Sequence, residues 1–201
     1  MDENLTRPLI DRFAERVGID YFVNIVNTEH GKIVKVFAWH FVKAHRYGVT
    51  FARGIHGVQI SGLSDITISS SFPTDMGYWQ GLKGLFSADL ATKVGGGIIE
   101  LTSCPEGLSP TNPKWIEYLQ HSTRELKEIY AAGNMDDLVA LGLALNVANV
   151  KERHTVCIVS DGISGKEATE TGFEKFRNVD DALEHLSRLC GPESKLNILT
   201  H

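Results

Sequence analysis

Three side chains near residue 80 have types and spacing that suit the binding of a small anion. Trp79, Gln80 and Lys83 would lean to one side of a helix, because helical residues three and four apart are neighbours. An ammonium group, an amide and an aromatic ring together suit a small carboxylate or a flat ring. A structural alternative is more common for these residue types, with Trp79 in the core, Gln80 in solvent and the stem of Lys83 along the surface.

The elements around this group predict its place in the fold. A buried strand is predicted over residues 65–71, a helix follows from about Tyr78, and a second strand runs over residues 98–102. The free N–H groups and the dipole at the start of that helix favour an anion. In open α/β sheets, ligands bind outside the carboxyl ends of the strands. The loops that follow the two strands therefore supply further cleft candidates, which are Ser70, Ser71, Asp75 and Glu106.

The patterns that identify common catalytic and metal sites do not occur. The sequence has no Gly-x-Ser-x-Gly nucleophile elbow and no pair of histidines at His-x-x-x-His spacing. The three glycines at 95–97 precede a strand, whereas a phosphate-binding glycine loop follows one, so we expect a tight helix-to-strand turn there. The residues alone therefore predict no catalytic residue and no metal site in this chain.

Strands that alternate with helices and carry continuous apolar runs indicate a mostly parallel, Rossmann-like α/β sheet flanked by helices. Apolar stretches at 21–26 and 33–37 around a glycine-containing turn predict an N-terminal antiparallel β-hairpin. No repeat or linker divides the sequence, so residues 1–201 are predicted to form a single domain. Further predicted elements are strands at 58–60, 155–159 and 196–199, a helix over 135–150 capped by Asn134, and a helix capped by Asn178 or Asp180.

The composition is that of a soluble globular protein, with 42% apolar and 22% charged residues among 201. The net charge of -5 gives no basic footprint, which argues against a nucleic acid partner. No apolar run approaches the roughly 20 residues that span a bilayer, so no membrane partner is predicted. The three cysteines have no metal-like spacing and fit reduced thiols. A cytoplasmic protein is the expectation.

Five sequence segments occur in an order and spacing that together are fairly specific, although none is diagnostic alone. They are Asn24 to Asn27 with Gly31 to Ala38, Lys43 to Val49 with its Ala-His-Arg, Phe72 to Asp75 with Trp79 to Leu85, Lys93 to Gly97, and Cys104 to Leu108. Together they resemble the C-terminal domain of the nickel-dependent lactate racemase family. The resemblance covers most of the chain and is weakest after about Ser109.

The resemblance implies a racemase or epimerase that interconverts the D and L forms of a 2-hydroxy acid. The family's cofactor is a nickel pincer built on a pyridinium mononucleotide, which accepts the α-hydride of the substrate and returns it to either face. In the family, the aromatic-Gln-x-x-Lys residues face the substrate across an interdomain cleft. Carried over, Lys83 would bind the substrate carboxylate, Gln80 would hydrogen-bond substrate or cofactor, and Trp79 would form the pocket wall.

The departures from the family pattern define the limits of this resemblance. The family's cofactor lysine, nickel histidine and catalytic histidines belong to an N-terminal domain that precedes the matching region. The resemblance therefore implies that this chain is either the C-terminal domain of a larger two-domain enzyme, with its own N-terminal cofactor domain as partner, or a stand-alone relative. The family's late Asp-Gln-Trp run corresponds here to residues 134–138, which lack tryptophan. A 2-hydroxy acid other than lactate is at least as well supported.

Two functions from other classes remain open at the level of sequence. One is a nucleotide- or metabolite-binding α/β module without catalysis, which would bind its ligand tightly as this chain alone. The other is an interaction domain whose cleft is a partner surface, which would show a large apolar patch near Trp79.

Overall fold

A computed structural model of the protein describes residues 4–28 and 30–199. Its contacts divide the chain into two compact units, residues 1–59 and residues 60–201. The sequence-based expectation of one domain over the whole chain stays a prediction.

The first unit contains two helices and a two-stranded antiparallel sheet. Its elements are α1 (Thr6–Val17), β1 (Phe22–Asn27), β2 (Ile33–Trp39) and α2 (Phe41–His56). Helix α1 ends at Gly18, whose positive φ of 74° places it in the left-handed conformation that glycine adopts without strain. A Cβ at Gly48 of α2 would lie 2.4 Å from the amide nitrogen of Asn24, so glycine lets the helix approach the sheet closely. The predicted hairpin is confirmed.

The second unit is built around a five-stranded, entirely parallel sheet in the order β6-β5-β4-β3-β7. Its strands are β3 (Ser64–Ser70), β4 (Thr92–Leu101), β5 (Thr155–Val159), β6 (Glu174–Phe176) and β7 (Leu196–Leu199). Its helices are α3 (Tyr78–Asp89), α4 (Pro113–Leu119), α5 (Thr123–Ala131), α6 (Leu138–Arg153), α7 (Gly165–Glu170) and α8 (Val179–Cys190). The predicted mostly parallel sheet with flanking helices is therefore confirmed.

Apolar side chains cover both faces of this sheet. Consecutive residues of a strand point to opposite faces, and Ile98 and Ile99 of β4 accordingly belong to two separate apolar clusters. The larger cluster includes buried residues of α3, α4 and α6, such as Leu85 and Trp115, and the smaller one includes Leu186 of α8. No helix in the described parts of the chain is both long and apolar enough to cross a membrane.

The glycine run at 95–97 lies inside β4, so the prediction of a helix-to-strand turn at these residues is wrong. The turn is formed instead by Leu90 and Ala91, directly before the strand. The glycines serve close packing: a Cβ at Gly96 would lie 2.5 Å from the Asp65 carbonyl oxygen, and one at Gly97 would lie 2.6 Å from Leu186.

The structure corrects two further element predictions and adds two elements. Residues 58–60 form no strand, because this exposed stretch has no neighbouring strand to pair with. Helix α6 begins at Leu138 and its cap is Asp137, whose carboxylate accepts the N–H groups of Val139 and Ala140 at 2.9 Å, rather than Asn134. Helix α7 and strand β6 are additional, and at six and three residues they are too short to show periodicity.

Candidate functional site

The loops that follow β3, β4 and β5 enclose a small cleft at the carboxyl ends of these strands. This is where open parallel sheets bind ligands. The cleft has a volume of about 210 Å³. It is lined by Ser70, Asp75, Leu101, Thr102, Ser103, Val159, Ser160 and Asp161.

Asp75 is the carboxylate of this cleft that is held in place by hydrogen bonds. The Ser103 hydroxyl donates to its Oδ2 at 2.8 Å, and the Ser103 N–H approaches the same oxygen at 3.4 Å. The hydrogen bond from the Ser103 side chain lowers the pKa of Asp75. The backbone carbonyl of Asp75 also accepts the Cys104 N–H at 2.8 Å. Asp75 therefore joins the loop after β3 to the loop after β4 as a fixed anion.

The loops after β4 and β5 approach each other backbone to backbone. The Gly162 N–H donates to the Ser103 carbonyl at 2.9 Å, and a Cβ at Gly162 would overlap the Cys104 carbonyl oxygen, 1.6 Å away. Cys104 itself has a φ of 45°. Its thiol is fully buried against the Thr102 hydroxyl, and burial raises its pKa to about 11, which keeps it protonated and unreactive.

The first turn of α3 has no free backbone N–H group that could bind an anion. The expectation of an anion-binding helix start is therefore wrong. The N–H groups of Tyr78 and Trp79 donate to the carbonyl oxygens of Gly107 and Leu108 at 3.0 and 3.1 Å, in the loop after β4. The next two N–H groups, at positions 80 and 81, both donate to Gly77. Any anion bound here must be held by side chains.

Trp79, Gln80 and Lys83 do lie together on one side of α3. The Lys83 ammonium donates to Oε1 of Gln80 at 2.7 Å, and both side chains are exposed. Trp79 is half-buried, and its ring packs edge-to-face on Trp115 of α4 with 5.1 Å between ring centroids. The arrangement offers an oriented cation with remaining donors, the Gln80 amide nitrogen, and a ring fixed by packing. These three residues are not among those that line the cleft described above.

A carboxyl group, Glu100 of β4, is completely buried beneath α3. Its carboxyl oxygens lie within hydrogen-bond distance of the Tyr78 hydroxyl, at 2.7 Å, and of the Ser71 hydroxyl, at 2.8 Å. Burial raises its pKa to about 7. A Cβ at Gly84 would lie 3.1 Å from its Oε1, so the helix rests directly on the carboxyl group.

Comparison with known proteins identifies the family. The family model described as the lactate racemase C-terminal domain matches residues 60–201, which is more than half of the chain. This chain belongs to the lactate racemase C-terminal domain family.

Two lactate racemases are similar to this chain along most of its length. The lactate racemase of Thermoanaerobacterium thermosaccharolyticum is 25% identical over 189 residues, and that of Lactiplantibacillus plantarum is 26% identical over 200 residues. Each similarity covers 92% of this chain but 44% of the relative. The chain thus spans less than half the length of these lactate racemases.

Two solved structures share its fold. The lactate racemase apoprotein from T. thermosaccharolyticum has a TM-score of 0.81 at 24% identity, covering 94% of this chain and 47% of that chain. A protein from Thermotoga maritima, solved by crystallography, has a TM-score of 0.65 at 15% identity, covering 99% of this chain and 55% of that one. The α/β fold of this lactate racemase C-terminal domain therefore agrees with that of solved proteins.

The sequence predicted four loop residues for the cleft, and the structure places two of them in its lining and two elsewhere. Ser70 and Asp75 line the cleft. Ser71 is buried and its hydroxyl faces Glu100 and the Gly81 carbonyl, so it does not line the cleft. Glu106 is exposed beside Gly77 and is not among the lining residues.

Three further residues, Ser103, Ser160 and Asp161, line the cleft. The sequence places the loops that carry Ser103 and Asp161 after strands, at the sheet edge where ligands bind, whereas Ser160 was not singled out. Glu100 was missed because a single acid inside an apolar strand carries no local pattern, and its burial depends on a helix that begins 22 residues earlier.

Proposed function

We propose that this chain is the substrate-closing domain of a lactate-racemase-like enzyme that racemises or epimerises a 2-hydroxy acid. Family membership and the similarity to two lactate racemases support the assignment. The observation that carries it is the Lys83–Gln80 pair, an exposed cation oriented by a hydrogen bond of 2.7 Å beside a fixed aromatic ring.

In this proposal Lys83 holds the substrate carboxylate. Its ammonium has three N–H donors, of which one is given to Gln80. The remaining donors can form charge-assisted hydrogen bonds with a carboxylate. The Gln80 oxygen orients the ammonium, and its amide nitrogen is a further donor to the substrate. Trp79, packed on Trp115, supplies an apolar wall that fixes the substrate's orientation.

The reaction also needs a hydride acceptor, and we propose a nickel-pincer pyridinium cofactor carried by an N-terminal cofactor domain, which would accept the α-hydride of the substrate when bound. The residues at this candidate site do not fit a nickel ligand set. The cleft offers hydroxyls and carboxylates, and the nearby Cys104 thiol is buried and protonated. We therefore assign substrate binding and closure to this chain, with no catalytic residue and no nickel ligand at the site.

We also propose that the enzyme is cytoplasmic. Its cysteines Cys104, Cys157 and Cys190 are all free thiols. Reduced thiols are typical of the cytoplasm, where disulfides are rare.

Replacing Lys83 in the full-length, cofactor-loaded enzyme tests this function. Lys83→Met removes the charge and keeps the stem, so the KM for the 2-hydroxy acid should rise by about tenfold or more, as expected for loss of a charged hydrogen bond worth ~1.5–3 kcal/mol. The measurement is racemisation of a panel of 2-hydroxy acids, followed by chiral chromatography.

The matched control is Lys166→Met, because Lys166 is also an exposed helical lysine near an acidic residue, Glu170. This variant should leave KM unchanged. A full-length enzyme that racemises no acid of the panel would contradict the function. Racemisation with an unchanged KM in Lys83→Met would contradict the role of Lys83 alone.

A further inference from the structure

Three metal-ligating side chains converge on the face of the sheet that α8 covers. Cys157 of β5 and Glu174 of β6 are direct partners in the parallel register of these strands. His185 reaches them from α8. The Cys157 sulfur, a Glu174 carboxylate oxygen and a His185 ring nitrogen all lie within 4.8 Å of one another.

Two of these donors lack hydrogen-bond partners in the described parts of the chain. His185 Nε2 is a buried atom that lies 2.8 Å from Glu174 Oε2, yet the geometry of the contact is not that of a hydrogen bond. Cys157 is fully buried, and no hydrogen bond of its thiol is found among residues 4–28 and 30–199. Buried polar atoms are normally satisfied, and one that is not calls for an explanation such as a bound ion.

We propose that Cys157, Glu174 and His185 form a binding site for a divalent cation of the Zn²⁺ class. A thiolate, a carboxylate and an imidazole are the donors that Zn²⁺ takes in proteins. Tetrahedral Zn²⁺ with bonds of ~2.0–2.3 Å sets its donors about 3.3–3.6 Å apart. In the free cluster His185 Nε2 lies 2.8 Å from Glu174 Oε2 and no two donors are more than 4.8 Å apart, so shifts of the partly exposed Glu174 and His185 side chains would set the spacing that Zn²⁺ requires.

Two ligands of the cluster are partly exposed and the third is buried. The side chains of Glu174 and His185 are 48% and 32% exposed, whereas Cys157 closes the bottom. Three protein ligands and an open position leave room for one water as the fourth ligand. The cation would join three separate elements, and it would fasten the three-residue edge strand β6 and helix α8 to the interior strand β5.

Metal binding must release a proton from this cluster. Zn²⁺ binds cysteine as the thiolate, whereas a free cysteine thiol is mostly protonated at neutral pH. Binding breaks the S–H bond, forms the S–Zn bond and gives the proton to solvent. The affinity should therefore rise with pH. With one thiolate and one carboxylate, the complex with neutral His185 carries no net charge.

The test uses the full chain stripped of metal, titrated with Zn²⁺ by calorimetry and with Co²⁺ as a spectroscopic substitute. We expect one ion per chain, a Kd of about 1 μM or tighter, and a thiolate-to-cobalt charge-transfer band. Cys157→Ser should abolish this band, and His185→Gln should weaken Zn²⁺ binding by at least about tenfold. If Cys157→Ser does not fold, Glu174→Gln replaces a half-exposed ligand and should weaken binding similarly.

Two control variants match the ligands in residue type. His121→Gln alters a histidine 3.9 Å from a glutamate oxygen, that of Glu125, and Cys190→Ser alters a half-buried thiol of α8. Both should keep the cobalt band and the Zn²⁺ affinity. The proposal is overturned if the metal-free chain binds no Zn²⁺, or if binding survives the ligand variants as well as it survives the controls.

Discussion

Glu100 shows how a single buried carboxyl group can fit beneath the helix that carries Lys83. The Ser71 hydroxyl has one proton but two acceptors within 2.8 Å, namely the Gly81 carbonyl and Glu100 Oε1. An ionised Glu100 would compete for that proton. A protonated Glu100 donates to Ser71, which then donates to Gly81, while the Tyr78 hydroxyl donates to Oε2. The neutral acid therefore provides one proton for each of these three hydrogen bonds.

Replacing Glu100 by glutamine should remove one component of the pH dependence of stability. The pKa is about 7 in the folded chain, against an ordinary value of 4.5. Between these values the folded state binds more protons than the unfolded state, so this component of stability is present below pH 4.5, falls as the pH rises to about 7, and stays flat above.

Urea denaturation of the wild type and Glu100→Gln at about pH 5 and about pH 8 measures this component. The stability difference between the two proteins should change by on the order of 2–3 kcal/mol across this range, in favour of the glutamine variant at high pH. Equal pH dependence in both proteins would show that Glu100 is already ionised at low pH in the folded chain.

At the scale of elements, the seating of α3 on the sheet depends on glycine. A Cβ at Gly84 would lie 2.9 Å from the Ser71 hydroxyl and 3.0 Å from the Ser70 carbonyl oxygen. The carbonyl belongs to β3 and cannot rotate away, so the helix must shift. Because α3 carries Trp79, Gln80 and Lys83, such a shift also moves the candidate substrate group.

Gly84→Ala should destabilise the chain by about 1–3 kcal/mol, the usual cost of overpacking a close contact. Gly142→Ala is the matched control, since Gly142 lies inside helix α6 and a Cβ there would meet nothing within 4 Å. The free energy of unfolding of that variant should rise by about 0.5–1 kcal/mol, because alanine is the better helix former. Chemical denaturation measures the free energy of unfolding of both variants. If Gly84→Ala leaves it unchanged, α3 is not held against β3 as described.

At the scale of the whole molecule, the boundary between the two units falls in an exposed segment. Residues 57–63 are in neither helix nor strand and are all exposed, and the division between the units lies between Gln59 and Ile60. Exposed segments without regular structure are preferred sites of proteolysis. The second unit contains its own sheet and two apolar clusters.

Limited proteolysis with a protease of broad specificity should therefore cut first within residues 57–63. Mass spectrometry should detect a fragment that begins in this segment and extends to the C-terminal end, and this fragment should unfold cooperatively in thermal denaturation. First cuts inside the second unit, or a fragment without a cooperative transition, would favour one domain over the whole chain, as the sequence predicts.

The sequence was sufficient for features that depend on local pattern. Apolar periodicity and capping residues predicted the hairpin and the alternation of strands and helices, which the structure confirms. They also predicted a helix capped by Asn178 or Asp180, and the structure shows that the cap is Asn178. The spacing of Gln80 and Lys83 predicted that both lean to one side of a helix, because residues three apart on a helix are neighbours, and the structure adds the hydrogen bond between them. The ordered family segments supplied the expected function.

The tertiary structure alone decided which groups meet across long sequence separations. Ser71 points inward, whereas Ser70 lines the cleft. The first N–H groups of α3 donate to the carbonyls of Gly107 and Leu108, and Glu100 is buried. The tertiary structure also brought Cys157 to residues 17 and 28 positions further along the chain. The physical reason is that helix and strand patterns are read from near neighbours, whereas burial and partner choice depend on the order of strands, which the local pattern does not contain.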